Sequence, residues 1–349
     1  MAYWIVLCTV WFNFVLGALI PITPKLNEEM AGVAFSAFVF VKILVFIPAG
    51  WISDRLGHFA GFFIGLVSQA ATMWLIIKAP DYVWAARSAE GISLAFGTVS
   101  GLALMRSYAT SKEEFGKFVA MMMGIGSSGV LLGPFFGYNV SVEQGLTILF
   151  IGSVVMICVH WLLYRLHLRA LVATQLTESS GDNTIAWAVL IAFALVKGLG
   201  VGTEPLLGWW ASKELNLPDA WAGFTFVAAA AGFMMACWKP KWMRAWAGVP
   251  GVLMLEAALA GQHIYWWPGL VCLGLFSGTL INLSLARLGW SKFENIGVQN
   301  SKFLLLSDLP MMVLPGILWE LREPQQIMLR LPLLMILLVA ALLFSKGRV

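Results

Sequence analysis

The sequence predicts an all-α integral membrane protein with twelve transmembrane helices in two six-helix halves. Composition is the first reason: 60% of the 349 residues are hydrophobic, 11% are charged, and the mean hydropathy is +0.84. A soluble globular domain carries about twice that charge fraction. The second reason is recurrence, because apolar runs about long enough to cross ~30 Å of hydrocarbon as helices follow one another along the whole chain. The third is a pattern that is missing. No ten-residue alternation of polar and apolar residues occurs, which argues against a transmembrane β-barrel.

Taken in order, the runs cover about 2–23, 33–52, 59–78, 81–105, 117–139 and 144–165. The next are about 185–211, 219–238 and 248–264, and the last about 265–286, 300–319 and 327–345. The N-terminus lacks a basic n-region and its apolar run continues past Pro21, so the first run reads as a retained span and not a cleaved signal. The longest polar segment, Gln175-Leu-Thr-Glu-Ser-Ser-Gly-Asp-Asn, lies in a connection over 166–184. It divides the chain into a first half, 1–165, and a second half, 185–349. The halves echo each other. Ala31-Gly32-Val33-Ala34-Phe35 and Ala222-Gly223-Phe224-Thr225-Phe226 open the second and eighth spans, and at the same offset Trp51 meets Trp242 and Gly57 meets Gly248.

Charge orients the bundle. Fourteen Lys and Arg, Arg55, Arg106 and Lys117 among them, fall on one side, and five (Lys25, Lys78, Lys213, Arg322 and Arg330) on the other. Short cytoplasmic loops retain basic residues, so both termini are expected in the cytoplasm, as for a bacterial inner-membrane protein. The net charge of +4 therefore sits along one membrane face and forms no nucleic-acid patch. Cys8, Cys158, Cys237 and Cys272 lie inside apolar runs with no short pairing, as small buried residues and not a disulfide framework or metal site. No cofactor is implied.

The connection between the second and third spans is Gly50-Trp51-Ile52-Ser53-Asp54-Arg55-Leu56-Gly57, a tight charged hairpin bounded by glycines. In the fourth span stands Arg87-Ser-Ala-Glu90-Gly91, and in the fifth Gly129-Val-Leu-Leu-Gly133-Pro134-Phe-Phe-Gly137. Glycines four apart let a neighbouring helix approach closely, and a proline frees a carbonyl and bends the span. The hairpin resembles the loop signature of the major facilitator superfamily, with His58 and Phe59 where that pattern ends in basic residues. The fourth span is similar to the superfamily's Arg-x-x-Gln-Gly pattern with Glu in place of Gln. The fifth resembles the glycine-proline motif of its proton-coupled antiporter branch, which exports drugs and metabolites. The resemblance implies a monomeric transporter, not an enzyme, that works by alternating access. It gives Gly50, Asp54, Arg55, Gly57, Gly129, Gly133, Pro134 and Gly137 gating or structural roles, with Asp54 near Asn300-Ser301 at the start of the eleventh span. It also puts the cavity between spans one, four, seven and ten.

The residues add a set of charges inside the bilayer. A charge there costs at least ~2.5–3.5 kcal/mol, so it must face water, a ligand or an opposite charge. Lys42 lies on the second span, Arg87 and Glu90 on the fourth, Lys197 and Glu204 on the seventh, Glu256 on the ninth and Asp308 on the eleventh. Arg87 and Glu90, three apart, share a helix face. Lys42 and Lys197 have no acid three or four residues away; they either receive an anionic group or pair across helices with Asp308 and Glu256. The stretch Lys197-Gly-Leu-Gly-Val-Gly-Thr203-Glu204-Pro205 reads as a soft, broken helix lining a cavity. Asn13, Thr203 and Asn282 offer hydrogen bonds. The sequence therefore reads as a proton-coupled exporter of a small organic solute, anionic or zwitterionic. Asn13, Lys42, Arg87, Lys197, Thr203 and Asn282 are the candidate substrate residues, and Glu90, Glu204, Glu256 and Asp308 the candidate proton carriers. An importer of the same superfamily, or a membrane enzyme or scaffold without transport, are the alternatives. Expected partners are the solute, protons and the bilayer.

Overall fold

Inside a bilayer every backbone N–H and C=O must find its partner within the protein, which leaves helices as the natural answer for a chain this apolar. The computed structural model describes residues 2–27, 30–109, 111–171, 210–238, 246–288 and 296–311, with single positions 191, 194 and 207. Among these residues helices and short turns make up all the regular structure. Six run in succession: α1 (Ala2–Leu26), α2 (Ala31–Leu56), α3 (His58–Lys78), α4 (Val83–Tyr108), α5 (Lys112–Asn139) and α6 (Val142–Leu171). Each is long and apolar enough to cross a membrane. Then come α7 (Asp219–Trp238), α8 (Gly248–Leu259), α9 (Trp266–Leu288) and α10 (Ile296–Asp308), which overlap the eighth to eleventh spans expected from sequence, with α10 starting four residues earlier than expected. The seventh span lies mostly, and the twelfth wholly, outside the described residues.

The hairpin joining α2 to α3 narrows to one residue, Gly57, at φ +92°, a left-handed conformation that a side chain would strain. Packing then follows the small residues. In α5, Gly129 and Gly133 sit against the α1 backbone around Val10, Phe14, Gly17 and Ala18, and Gly137 meets Ala18 and Pro21. The two helices run parallel with their backbones nearly touching, as the fifth-span glycine spacing predicts. Lys25 closes the far end of this pair by donating to the carbonyls of Gly137 (2.9 Å) and Tyr138 (3.3 Å), a cation at a helix C-terminus.

The same contact recurs in the second half. Gly91 of α4 packs on the Phe38 carbonyl and the Lys42 amide of α2. Gly274 of α9 packs on the Ala229 carbonyl and the Phe233 amide of α7. Both partner pairs are 191 residues apart, the offset at which the sequence echoes itself. The echo therefore records a repeated helix-pairing geometry. Between the two sets of helices, α2 runs antiparallel to α10, and the end of α5 meets the start of α7, where Phe135 and Phe224 stack edge to face at 5.0 Å.

Candidate functional site

The α2–α10 seam holds both expected polar features of the second span. At its basic end, the Asp54 carboxylate accepts hydrogen bonds from the amides of Gly297 (2.8 Å) and Val298 (3.0 Å). These are first-turn N–H groups of α10, which have no partner within their own helix and form its positive end. Asp54 was expected near Asn300-Ser301. It lies about one turn nearer the helix start because only first-turn amides are free to donate. Gly50 and Gly297 make the approach possible: a Cβ on Gly50 would meet the Gly297 carbonyl and Ser301 Oγ. Arg55 caps the hairpin with its guanidinium 3.8 Å from the centre of the Trp51 ring. His58 Nδ1 lies 2.9 Å from Ser53 Oγ, and Ser53 accepts from Ser100 at 3.1 Å, so the hairpin is tied to α4 as well. Replacing Asp54 by Asn keeps one acceptor but loses the charge. The seam should weaken by about 1–2 kcal/mol. We expect a several-fold drop in transport per purified molecule at near-normal abundance; wild-type transport would refute this latch.

Further along the seam, Lys42 Nζ of α2 lies 2.7 Å from Asp308 Oδ2 of α10. Ser307 Oγ donates to the other Asp308 oxygen at 3.1 Å. Next to this pair, Arg87 and Glu90 of α4 form a second ion pair. All four groups are buried: Asp308 and Glu90 are fully enclosed, Arg87 is 1% exposed and Lys42 8%. The two cations lie near one aromatic ring. The Phe38 centroid is 5.1 Å from the Arg87 guanidinium and 5.9 Å from Lys42 Nζ, with Phe46 5.7 Å from the same ammonium. Gly91 lets α4 lie directly on α2 here, with no side chain between.

The placement settles how the charges are balanced. Of the two arrangements open from sequence, Lys42 here adopts the interhelical pair with Asp308. Arg87 and Glu90 satisfy each other in part, although Arg87 Nε and Glu90 Oε1 are buried without a hydrogen-bond partner. Asn13 donates to the Gly126 carbonyl of α5 at 3.1 Å, so at least one of its amide hydrogens serves helix packing. Glu256 is half-buried on α8, away from the seam. Lys197, Thr203 and Glu204 lie outside the described residues, as does the side chain of Asn282. Three contributors escaped sequence reasoning: Gly91, Phe38 and Gly297. Gly91 stood in the quoted fourth-span motif, and its size was the available signal. His160 accepts from Trp4 Nε1 (3.2 Å) and packs against Phe59, Phe62 and Phe63.

Helices pairing through glycine faces, with a buried charge pair across a seam, define the class: a polytopic membrane protein with an internal helical repeat. The model of the Major Facilitator Superfamily matches residues 2–347, and the chain belongs to that family. It is similar to the rat synaptic vesicular amine transporter, 32% identical over 117 residues, or 32% of this chain and 22% of the relative. It is also similar to the human chromaffin granule amine transporter, 26% identical over 235 residues, 61% of this chain and 42% of the relative. The matched stretches thus span less than half the length of these relatives. Among solved structures, the fold is similar to the human organic anion transporter MFSD10 (TETRAN), with a TM-score of 0.74 at 15% identity over 98% of both chains. It is similar, too, to a bacterial homologue of the iron transporter ferroportin, with a TM-score of 0.72 at 14% identity over 99% of both. The chain is accordingly an integral membrane protein of this superfamily.

Proposed function

We propose that this chain is a proton-coupled secondary exporter of a small organic solute that bears an ammonium group, zwitterionic or cationic. The observation that carries the reading is the Lys42–Asp308 pair, which joins α2 of the first half to α10 of the second. Only an ionised Asp308 holds Lys42. A proton on Asp308 cancels the attraction and frees the seam to part, so protonation and the arrangement of the halves become one equilibrium.

The same pair argues for the kind of solute. An ammonium group and a proton claim the same carboxylate, so each excludes the other, which is the condition for antiport. An anion would instead take Lys42 and leave Asp308 to bind a proton, and the two would travel together. The glycine face of α5 on α1 supports the antiport direction, since it follows the spacing of the antiporter motif. The relatives described above are amine transporters, which supports an ammonium-bearing cargo. A zwitterion has the further merit that its carboxylate can occupy Lys42 while its ammonium occupies Asp308, leaving no charge bare. The side with fourteen basic residues is the cytoplasmic side in this reading, with both termini there. The chain works as a monomer.

The test is uptake into proteoliposomes under an imposed pH gradient with matched amines, zwitterions and anions. We expect amines or zwitterions to accumulate in the acidic compartment, and anions not to. Accumulation of anions in the alkaline compartment would favour the symporting importer and overturn the proposal.

A further inference from the structure

We infer that Glu90 is a positioning residue for proton coupling: it is the second seat of Lys42, which passes from Asp308 to Glu90 when Asp308 takes up a proton. The inference rests on the coupling role of Asp308 proposed above and adds where the released cation goes. An ammonium let go inside the bundle without a new partner would keep its desolvation penalty with no compensating charge. A transport cycle that breaks the pair each turn therefore needs a landing place for Lys42 in its own half.

The structure supplies one. Glu90 has two oxygens; Oε2 meets Arg87, and Oε1 is fully buried with no hydrogen-bond partner. An orphaned carboxylate oxygen in such a place is costly and calls for a ligand. Glu90 precedes Gly91, whose missing side chain sets α4 on the Lys42 amide itself. The Lys42 head and the Arg87 head that Glu90 already binds both lie near the face of Phe38, at 5.9 and 5.1 Å from its centroid. Lysine's flexible four-carbon stem permits the swing. The charged groups around the exchange are few among the described residues. From α2 comes Lys42, from α4 Arg87 and Glu90, and from α10 Asp308, with Lys302 exposed two turns away. The charged groups of α1 and α3, Lys25, His58 and Lys78, lie at helix ends. Asp54 and Arg106 belong to the basic end of the bundle.

No covalent chemistry is involved; one proton binds Asp308 and one ammonium changes partner. In the ionised form Lys42 ties α2 to α10, across the halves. In the protonated form it ties α2 to α4, within one half. The exchange thus replaces an inter-half bond with an intra-half bond, and as Asp308 takes the proton the four-residue cluster goes from net charge zero to +1, with both cations held by Glu90.

The direct test is the structure of the Asp308→Asn protein, in which the acid is permanently neutral. We expect Lys42 Nζ within about 4 Å of Glu90 Oε1. Lys42 remaining on the residue-308 side chain, or turned to any other group, would overturn the inference. The second test is the pH profile of transport. Glu90→Gln removes the seat, so the pH of half-maximal proton-driven transport should move at least one unit lower, and Glu90→Asp should restore most of the wild-type profile. An unshifted profile in Glu90→Gln would equally overturn it. The outcomes separate the two proposals. Gradient-driven transport that survives Asp308→Asn defeats the coupling role itself; its loss, with Lys42 not at Glu90, defeats the handover alone.

Discussion

Replacing Lys42 by Ala should be the most damaging single substitution in the described bundle. It removes the ammonium 2.7 Å from Asp308 and leaves that fully enclosed carboxylate without this charge partner. Removing one partner of a buried pair typically costs about 3–5 kcal/mol, because the remaining charge keeps its desolvation cost and loses its compensation. Some of that cost is escaped if Asp308 takes a proton, and then the seam loses its coupling instead. Either way gradient-driven transport should fall to background. Stability tells the two effects apart: unfolding of the purified protein should show a large loss for Lys42→Ala and recovery of more than half of it in the Lys42→Ala/Asp308→Asn double variant. A Lys42→Ala protein as stable and as active as wild type would mean that the pair does no structural or coupling work.

The second large effect belongs to Gly133. A side chain there projects into the backbone of α1 at the Phe14 carbonyl and the Ala18 amide, atoms that cannot rotate aside. Overpacking a well-filled site ordinarily costs about 1–3 kcal/mol. Gly133→Leu should exceed the upper end of that range, because the obstacle is main chain on both sides and Gly129 and Gly137 hold the helices close on either flank. We expect low abundance and premature unfolding in Gly133→Leu, with Gly133→Ala intermediate. Wild-type thermal stability of the Leu variant in detergent would show that the two helices are not locked together here.

How much of this was legible in the sequence depended on whether partners lie near each other along the chain. The hairpin was readable because its parts are consecutive: Gly50, Asp54, Arg55 and Gly57 signal a charged tight turn by spelling alone. Arg87 and Glu90 were readable as a pair because three residues on a helix bring side chains to one face. The α5 glycines announced a close helix neighbour, and α1 proved to be that neighbour. Lys42 and Asp308 resisted, since they sit in opposite halves and nothing in local spacing specifies which acid meets which base. Sequence reasoning had named their pairing as one of two arrangements, and only packing chose between them. The same holds for Asp54: its docking on α10 was expected, yet the amides it selects depend on where the helix begins. Gly91 was overlooked as a packing residue because the charges beside it drew the chemistry; its role is visible only once α2 lies against it. The internal echo was faint in letters at Gly32 and Gly223 and clear in geometry at Phe38 and Lys42 against Ala229 and Phe233, since a repeat keeps where backbones touch more strictly than which apolar side chain fills the space.

One measurement bears on the central claim that Asp308 carries the coupling proton through its pair with Lys42. A pH-sensitive dye trapped inside proteoliposomes reports proton movement when an ammonium-bearing solute is added outside at equal pH. Antiport predicts that the lumen turns alkaline as the solute enters, and that the Asp308→Asn protein, which lacks the carboxylate the ammonium and the proton share, moves no protons on addition of the solute. Acidification of the lumen by the wild type, or undiminished alkalinisation by Asp308→Asn, would contradict it.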